Sequence, residues 1–372
     1  MADPLKLFIL AGEPSGDRIG ADLVRRLRER RPLDVVGVGG PELIATGLKS
    51  LYPMSDLSVM GFVDVILRLP LLLWRIRQTA RAVLAADPDI VVLVDAQDFS
   101  ERVARRLRKA GWTKPIILYV APSVWVRHPE RAERIKPLFN EVLAVLPFEP
   151  AAMRRLQGPP TSYVGHPALK EAGTYQGGHK VALLPGSRAG ELRRHMPLLR
   201  SAAEILAGRF GIDEFYIPTL PAHAERLRAE VAEWSVPVSI QADRSKRGEL
   251  YAQTLFAICT SGTATLELAL AGVPMIIPYV MEGAQAAFYE RHGRPNVGLP
   301  NIILGADVAP ELILPAIVPS PVIAAAEAVL GDPEKQKAQR EAYSLLRQMM
   351  ENGLPEAPRE DPADRVLAHI RS

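Results

Sequence analysis

The chain has 372 residues, of which 48% are hydrophobic and 23% are charged, and its formal net charge is +3. This composition excludes a disordered polymer and indicates a globular protein of two domains, at roughly 150 residues per domain. The single cysteine, Cys259, excludes a disulfide framework, and the apolar run around it predicts a core position in a reducing cytosol.

The N-terminal segment MADPLKLFILAGEPSGD has no basic stretch before its short apolar run, so no signal peptide is expected. No segment reaches the length of about 18 apolar residues that a membrane span needs. The mildly positive charge is compatible with anionic substrates or an anionic membrane surface. No Lys/Arg run interleaved with aromatic residues points to nucleic acid.

Short apolar runs alternate with amphipathic segments along almost the whole chain. The clearest runs are LKLFILAG, DVVGVGG, IVVLVDA, IILYVAP, EVLAVLPF, KVALLPGS, EFYIPTL, PVSIQ, TLFAICTSG and VPMIIPYV. Runs that are buried on both faces and separated by helices predict parallel sheets with crossover helices. We therefore predict an α/β protein with two doubly wound domains, at 1–165 and 166–345.

The predicted boundaries follow from composition. The last strand of the first group is expected to end near Phe148, and the polar, Gly-rich segment 163–180 is predicted to be a linker with His166 as a hinge residue. Closing helices separated by a Pro-rich turn are predicted at 346–372.

The first strand runs into the turn AGEPSGD, residues 11–17. A strand that ends in a Gly/Ser turn before a helix is typical of phosphate or sugar sites, because the helix start exposes backbone N–H groups. The alternative is an ordinary turn in which Ser15 caps the helix and Asp17 interacts with the helix dipole.

The third strand ends in VDAQDFS, which delivers Asp95 and Asp98 at the sheet edge where ligands bind. For Asp95 we favour a capping role before a helix that starts at Ser100. For Asp98 a general base and a helix cap are both open.

Two segments of the second domain indicate an anion site. LLPGSR places Arg188 after a strand, where its guanidinium suits a diphosphate, and Glu191 is expected to be structural. In TSGTATLE, residues Ser261, Gly262 and Thr263 begin a helix and could hold a phosphate, with Glu267 one turn further at the distance of a ribose. A capping box would explain the same letters.

The segment 60–84 combines Leu71, Leu72, Leu73, Trp74 and Ile76 with several arginines. It predicts either a helix packed on the core with a basic outer face or a helix that contacts a membrane surface or acyl chains. A metal site is not expected, because Asp87 and Asp89 precede a strand and the seven histidines lack ligand spacing.

With these motifs in order, the sequence resembles the lipid-A-disaccharide synthase family, glycosyltransferases of the two-domain GT-B architecture. The matching segments are AGEPSGD (11–17), residues 38–66, VDAQDF (94–99), YVAPSVW (119–125), LPFEP (146–150), YVGHP (163–167), LLPGSR (183–188), SGTATLE (261–267), PMIIPY (274–279) and LPNIIL (299–304).

The resemblance implies two Rossmann-like domains that face each other across a cleft. Domain 1–165 would bind the acceptor, domain 166–345 would bind the nucleotide-sugar, and the closing helices would pack on the first domain. It implies inverting transfer of 2,3-diacylglucosamine from UDP to 2,3-diacylglucosamine 1-phosphate, without cofactor or metal. It also implies a cytoplasmic protein at the inner face of the inner membrane, no nucleic-acid partner, and a homodimer as an open alternative.

Residue roles carry over by motif. Asp98 would be the catalytic base and Glu13 a helper, and Ser15 would line the acceptor side. Nucleotide-sugar contacts would come from Arg188, Ser261, Gly262 and Thr263 at the diphosphate, Glu267 at the ribose, and Asn301.

The sequence departs from the family at two places. DAQDF stands where the family has Asp-x-Pro-Asp-Phe, and WVRH stands at 125–128 where it has Trp-Ala-Trp-Arg. The alternatives are another enzyme of this architecture, such as a UDP-N-acetylglucosamine 2-epimerase or a lipid-linked sugar transferase of the cell wall, and a catalytically silent or re-targeted paralogue that binds a UDP-sugar.

Overall fold

The structure is a computed structural model that describes residues 3–57, 62–281, 283–291 and 293–370, without the side chains of 62–67, 284 and 288. The chain divides into two units by its internal contacts. Unit 1 runs to His166 and resumes at Asn352, and unit 2 is Pro167–Glu351. The chain therefore returns to unit 1 a few residues after position 346, where the closing segment was placed from the sequence.

Unit 1 is built on a parallel sheet of six strands in the order β2-β1-β3-β4-β5-β6. Its strands are β1 (Leu5–Ala11), β2 (Leu33–Val38), β3 (Ile90–Val94), β4 (Ile116–Tyr119), β5 (Glu141–Ala144) and β6 (Thr161–Tyr163). Its helices before unit 2 are α1 (Pro14–Arg30), α2 (Pro41–Ala45), α3 (Phe62–Ala86), α4 (Gln97–Lys109), α5 (Glu130–Ile135) and α6 (Glu149–Arg155), with a 3-10 turn at Met54–Asp56.

Unit 2 repeats this plan with a second parallel sheet, in the order β12-β11-β10-β7-β8-β9. Its strands are β7 (Lys180–Leu184), β8 (Phe215–Pro218), β9 (Val238–Gln241), β10 (Thr254–Cys259), β11 (Met275–Val280) and β12 (Glu311–Leu314). Its helices are α7 (Ala168–Glu171), α8 (Ala189–Phe210), α9 (Pro221–Val231), α10 (Arg247–Ala252), α11 (Thr263–Ala271), α12 (Gly283–Arg291), α13 (Leu299–Leu304), α14 (Pro319–Leu330) and α15 (Pro333–Asn352), with a 3-10 turn at Arg244–Lys246.

The prediction of an α/β protein with two doubly wound parallel sheets is confirmed. The central strands are apolar because helices cover both faces of each sheet, and every residue of β3 is buried. Cys259, at the end of β10, is fully buried, as its apolar neighbours predicted.

Two predicted boundaries were wrong. The sheet of unit 1 does not end near Phe148, because the short strand β6 adds a sixth member at Thr161–Tyr163. The segment predicted as a linker also contains helix α7, at Ala168–Glu171.

The last described segment closes unit 1. A two-stranded hairpin, β13 (Gly353–Leu354) and β14 (Ala357–Pro358), occupies the predicted Pro-rich turn and is followed by α16 (Pro362–Ala368). Arg26 and Arg30 of α1 both pair with Asp361, at 2.5 and 2.9 Å.

The firmest contact of this segment is made by Glu141 of β5, which is only 1% exposed. Arg365 Nε donates to one of its carboxylate oxygens at 2.9 Å, and His369 Nε2 lies 2.6 Å from the other. Burial opposes ionisation of Glu141, but hydrogen bonds from His369, Ser162 and Arg365 outweigh it and hold its pKa below the usual value. The C-terminal segment is thus anchored by a buried charge to β5, the strand next to the edge strand β6.

Helix α3 begins at Phe62 and ends at Ala86, close to the predicted segment 60–84. One face packs on the core through Ile76, Ala80 and Val83, while Leu69, Leu73 and Trp74 are 39–51% exposed. Residues 58–61, which include the start of the predicted 60–84 segment, lie outside the described residues. No helix in the described ranges is long and apolar enough to cross a membrane.

Candidate active site

Each sheet has one place where the strand order reverses, and in doubly wound sheets ligands bind beyond the carboxyl ends of the two strands at that point. In unit 1 the reversal lies between β1 and β3, which pair in register at Ala11 and Val94. In unit 2 it lies between β7 and β10, which pair at Leu184 and Cys259. The segments AGEPSGD and VDAQDF follow the first pair, and LLPGSR and TSGTATLE follow the second.

The two segments of unit 1 pack directly against each other. A Cβ atom placed on Gly12 would lie 2.5 Å from the Cβ of Ala96, and one on Gly16 would lie 3.4 Å from the Cβ of Asp95. Asp95 and Ala96 both have a positive φ, 56° and 44°. Two consecutive non-glycine residues in this region carry backbone strain, which tends to persist where a side chain must be held in a defined place.

Asp95 is the more perturbed of the two aspartates. Its side chain is half-buried, and burial followed by the negative charge of Glu13 raises the pKa of Asp95 to about 6. Glu13 is the exposed N-cap residue of α1. Asp95 does not cap a helix at Ser100 as expected, because α4 begins at Gln97 and its N-cap is Ala96.

Asp98 lies in a different environment, in the first turn of α4. Its side chain is 85% exposed, and one carboxylate oxygen lies 3.0 Å from Nη2 of Arg131. Arg131 also approaches Glu101, at 3.2 Å. Asp98 is therefore solvated and paired with a cation.

The departure from the family pattern at Gln97 falls on the first residue of α4. Proline is favoured at a first helical position because its missing N–H has no intrahelical partner to lose. Gln97 replaces this restraint with a side-chain contact, since its Nε2 donates to the carbonyl of Val120 at 2.9 Å, just beyond β4.

Ser15 does not cap α1 as the alternative prediction had it, whereas Asp17 lies in the first turn of the helix, where that alternative placed it. The N-cap of α1 is Glu13, and Ser15 lies exposed in the first turn. Asp17 is 1% exposed, and its carboxylate accepts N–H groups of Gly40, Glu42 and Leu43 at 2.8–3.2 Å. It therefore holds the start of α2, and the exposed Ser15 stays a prediction as a substrate contact.

In unit 2, Glu191 shapes the LLPGSR turn. It is 8% exposed, and its carboxylate accepts the backbone N–H groups of Ser187 and Arg188 at 3.0 and 3.1 Å. A Cβ on Gly186 would lie 2.5 Å from the same carboxylate. Nη1 of Arg188 lies 2.9 Å from Oε1 of Glu191, but 72% of the Arg188 side chain is exposed. A ligand at this turn would therefore meet the guanidinium, because Glu191 already binds the backbone N–H groups.

His195 is buried against this turn, and no local pattern in the sequence indicated this role. It is fully buried, its Nδ1 lies 3.1 Å from the carbonyl of Pro185, and its Nε2 accepts the N–H of Val280 at 3.0 Å. The two contacts assign a neutral imidazole with the proton on Nδ1. His195 thereby joins the LLPGSR turn to the end of β11.

At the start of α11 no side chain among the described residues caps the backbone N–H groups, whereas Glu191 caps those of the LLPGSR turn. Gly262 is the N-cap residue, with φ 145°, and a Cβ placed there would meet no atom within 4 Å. Gly262 and Thr263 are exposed, and the hydroxyl of Ser261 donates to the carbonyl of Val297 at 2.7 Å. This helix start can present unpaired N–H groups to an anion.

Glu267 does not close a capping box, so that alternative is wrong. It is 7% exposed. Nη2 of Arg244 donates to one of its carboxylate oxygens at 3.1 Å, and Nη1 of Arg247 donates to the other at 3.2 Å. Neither arginine was singled out from the sequence, because both lie about twenty residues before their partner.

Asn301 is fully buried in α13 and uses its whole amide group. Its Nδ2 donates to Ala309 and Glu311, both at 2.8 Å, and its Oδ1 accepts the N–H groups of Val308 and Ala309. These contacts are internal to unit 2, and a contact of Asn301 with a nucleotide-sugar stays a prediction. Among the described residues, no three His, Cys, Asp or Glu side chains are grouped as metal ligands would be.

Comparison with known proteins gives consistent results. A family model described as Lipid-A-disaccharide synthetase matches residues 7–359. A lipid-A-disaccharide synthase of Nitrobacter hamburgensis is 38% identical, with 97% of this chain and 95% of the relative covered. One of Rhodopseudomonas palustris is also 38% identical, with 98% and 96% covered.

Solved structures share the fold at low sequence identity. The UDP co-structure of MnaA from S. aureus has a TM-score of 0.61 at 14% identity, covering 96% of this chain and 100% of that one. MurG of Acinetobacter baumannii has a TM-score of 0.55 at 15% identity, covering 99% of both. These likenesses show the GT-B fold.

The buried imidazole leads to a pH-dependent prediction. Burial lowers the pKa of His195, so below about pH 6.5 the unfolded chain takes the proton first and stability falls. Between pH 7.5 and 5.5, wild type should lose more unfolding free energy than His195→Gln, by up to about 1.4 kcal/mol. Urea unfolding at both pH values measures this, with His179→Gln on the surface as control. Equal losses in wild type and His195→Gln would contradict it.

Proposed function

The chain belongs to the lipid-A-disaccharide synthase family, and from this membership we propose that it transfers 2,3-diacylglucosamine from its UDP derivative to the 6-hydroxyl of 2,3-diacylglucosamine 1-phosphate. The products are the β-1,6-linked disaccharide 1-phosphate and UDP. One observation carries the proposal: the chain has its family motifs at the strand reversal of each sheet, with carboxylates in unit 1 and an exposed guanidinium and an open helix start in unit 2.

The reaction has two chemical requirements. Inversion at the anomeric carbon is one displacement, in which the bond from that carbon to the acceptor oxygen forms while its bond to the diphosphate breaks. The acceptor proton passes to a carboxylate, and the electron pair of the broken bond leaves with UDP. A base and a stabilised leaving group are therefore both needed.

For the base we propose Asp95 ahead of Asp98. A carboxylate with a pKa near the working pH removes a proton more effectively than a strongly acidic one, and burial with Glu13 nearby raises the pKa of Asp95 to about 6. Glu13 is then a helper through its charge. Asp98, which the motif suggested, is exposed and paired with Arg131, and it remains the second candidate.

For the leaving diphosphate we propose Arg188 with the start of α11. The exposed guanidinium supplies charge, and Ser261, Gly262 and Thr263 supply hydroxyl and N–H donors at the positive end of the helix. Glu267 accepts the ribose hydroxyls. Ser261 binds the carbonyl of Val297 and Asn301 binds the N–H groups of Val308 and Ala309, so together they fix the segment 297–309 near that site.

We also propose that α3 contacts the membrane leaflet that holds both acylated substrates. Leu69, Leu73 and Trp74 are exposed over less than two turns of the helix. Arg75 is not part of this surface, since it stacks 4.3 Å from the rings of Tyr52 and Trp74 and pairs with Asp56. The binding would be peripheral, at the cytoplasmic face.

The function is tested by release of UDP from UDP-2,3-diacylglucosamine in detergent. We expect release only when 2,3-diacylglucosamine 1-phosphate is added, and the same rate with a chelator present. Tight UDP binding without turnover would instead support the silent or re-targeted paralogue.

The base is tested by Asp95→Asn against Asp98→Asn. Asparagine tolerates a positive φ, so Asp95→Asn should fold, and we expect it to lower kcat by about 10²–10⁴-fold. Wild-type activity should rise with pH through about 6, where Asp95 loses its proton, and Asp98→Asn should keep this profile. Full activity of Asp95→Asn with loss in Asp98→Asn would return the role to Asp98.

Membrane contact is tested by flotation with vesicles that contain anionic lipid. Trp74→Ser and Leu73→Ser should reduce the bound fraction several-fold, since each removes apolar area from the exposed surface. Leu84→Ser is the matched control, because Leu84 is 41% exposed on the same helix about three turns away. Equal losses in all three variants would contradict a localised membrane surface.

A further inference from the structure

The carboxylate of Glu267 lies between two arginines that the proposed reaction does not use. Its side chain is 9% exposed, and each oxygen receives one guanidinium, from Arg244 at 3.1 Å and from Arg247 at 3.2 Å. Arg244 lies in the 3-10 turn that follows β9 and Arg247 begins α10, whereas Glu267 lies in α11. The contact therefore joins the start of α10 to α11.

The two arginines are held differently. Arg247 is the first residue of α10, and its side chain is 16% exposed. Arg244 is 34% exposed and also donates through Nε and Nη2 to Glu171 of α7, at 3.0 and 2.7 Å. The backbone after α7 also contacts the backbone of α10, since a Cβ on Gly173 would lie 2.1 Å from the carbonyl oxygen of Gly248. Arg244 is thus shared between Glu171 and Glu267, whereas the ion pair described for Arg247 is with Glu267.

The remaining capacity of Glu267 suits a diol. An ionised carboxylate has about four acceptor positions, and one bond to each guanidinium leaves one on each oxygen. A ribose presents two neighbouring hydroxyl groups, each of which can donate to one oxygen.

We propose that Arg247, assisted by Arg244, is a positioning residue that turns both oxygens of Glu267 toward the ribose 2′- and 3′-hydroxyls of the UDP donor. This inference rests on the proposed function, which places the ribose at Glu267. Removing Arg247 frees one oxygen to rotate or to recruit water. The affinity that depends on the ribose diol is then lost, while diphosphate binding at Arg188 and α11 is kept.

Calorimetric binding of UDP and 2′-deoxy-UDP to the full chain in detergent tests the inference. Wild type should bind UDP about tenfold more tightly than the deoxy form, the scale of one charge-assisted hydrogen bond. Arg247→Met should weaken UDP binding about tenfold and change 2′-deoxy-UDP binding less than twofold. Arg244→Met should have a smaller effect, and Arg226→Met, on the exposed face of α9, should have none.

Kinetics and a conservative variant separate positioning from folding. Arg247→Met should raise KM for the UDP-sugar with kcat within about twofold, and Arg247→Lys should restore part of the preference for UDP. Equal weakening of both nucleotides by Arg247→Met and Arg247→Lys would assign the arginine a structural role and overturn the inference. If wild type itself binds both nucleotides equally, Glu267 does not contact the ribose 2′-hydroxyl, and the failure lies in the proposed site.

Discussion

The candidate site depends on one constraint, the in-register pairing of the two parallel strands at which each sheet reverses its order. Ala11 pairs with Val94 and Leu184 with Cys259. From each pair the connections leave in opposite directions, so the loops beyond the strand ends meet without a helix between them. Segments more than seventy residues apart are thereby brought together, with carboxylates in unit 1 and a guanidinium beside an open helix start in unit 2.

Three buried polar side chains near these loops bind backbone groups rather than facing a ligand. Asp17 binds the start of α2, Glu191 fills the LLPGSR turn, and His195 ties that turn to β11. Each of these groups satisfies N–H or C=O groups that a tight turn leaves without partners, and this is why the turns keep defined shapes. The groups left exposed or strained, Arg188 and Asp95, are the ones available for chemistry.

Local patterns predicted the two parallel sheets and the segments at their edges, because apolar runs and Gly/Ser turns are local signals. They did not predict β6, which has three residues, or the helix start at Gln97, which follows two residues in the left-handed region. Local patterns also could not predict that Asp95 has a raised pKa while Asp98 is exposed and paired with an arginine. This difference depends on Glu13 and Arg131, which arrive from other segments of the fold.

The return of the chain to unit 1 has a consequence for biosynthesis. Residues from Asn352 onward leave the ribosome only after all of unit 2 has been made. During that interval β5 exists without α16, and the carboxylate of Glu141 lacks its contacts with Arg365 and His369. Unit 2, by contrast, is continuous in sequence and can fold as soon as it emerges. The N-terminal unit therefore begins to form first but finishes last, and the region around Glu141 of β5 is the part that would need protection by a chaperone in the nascent chain.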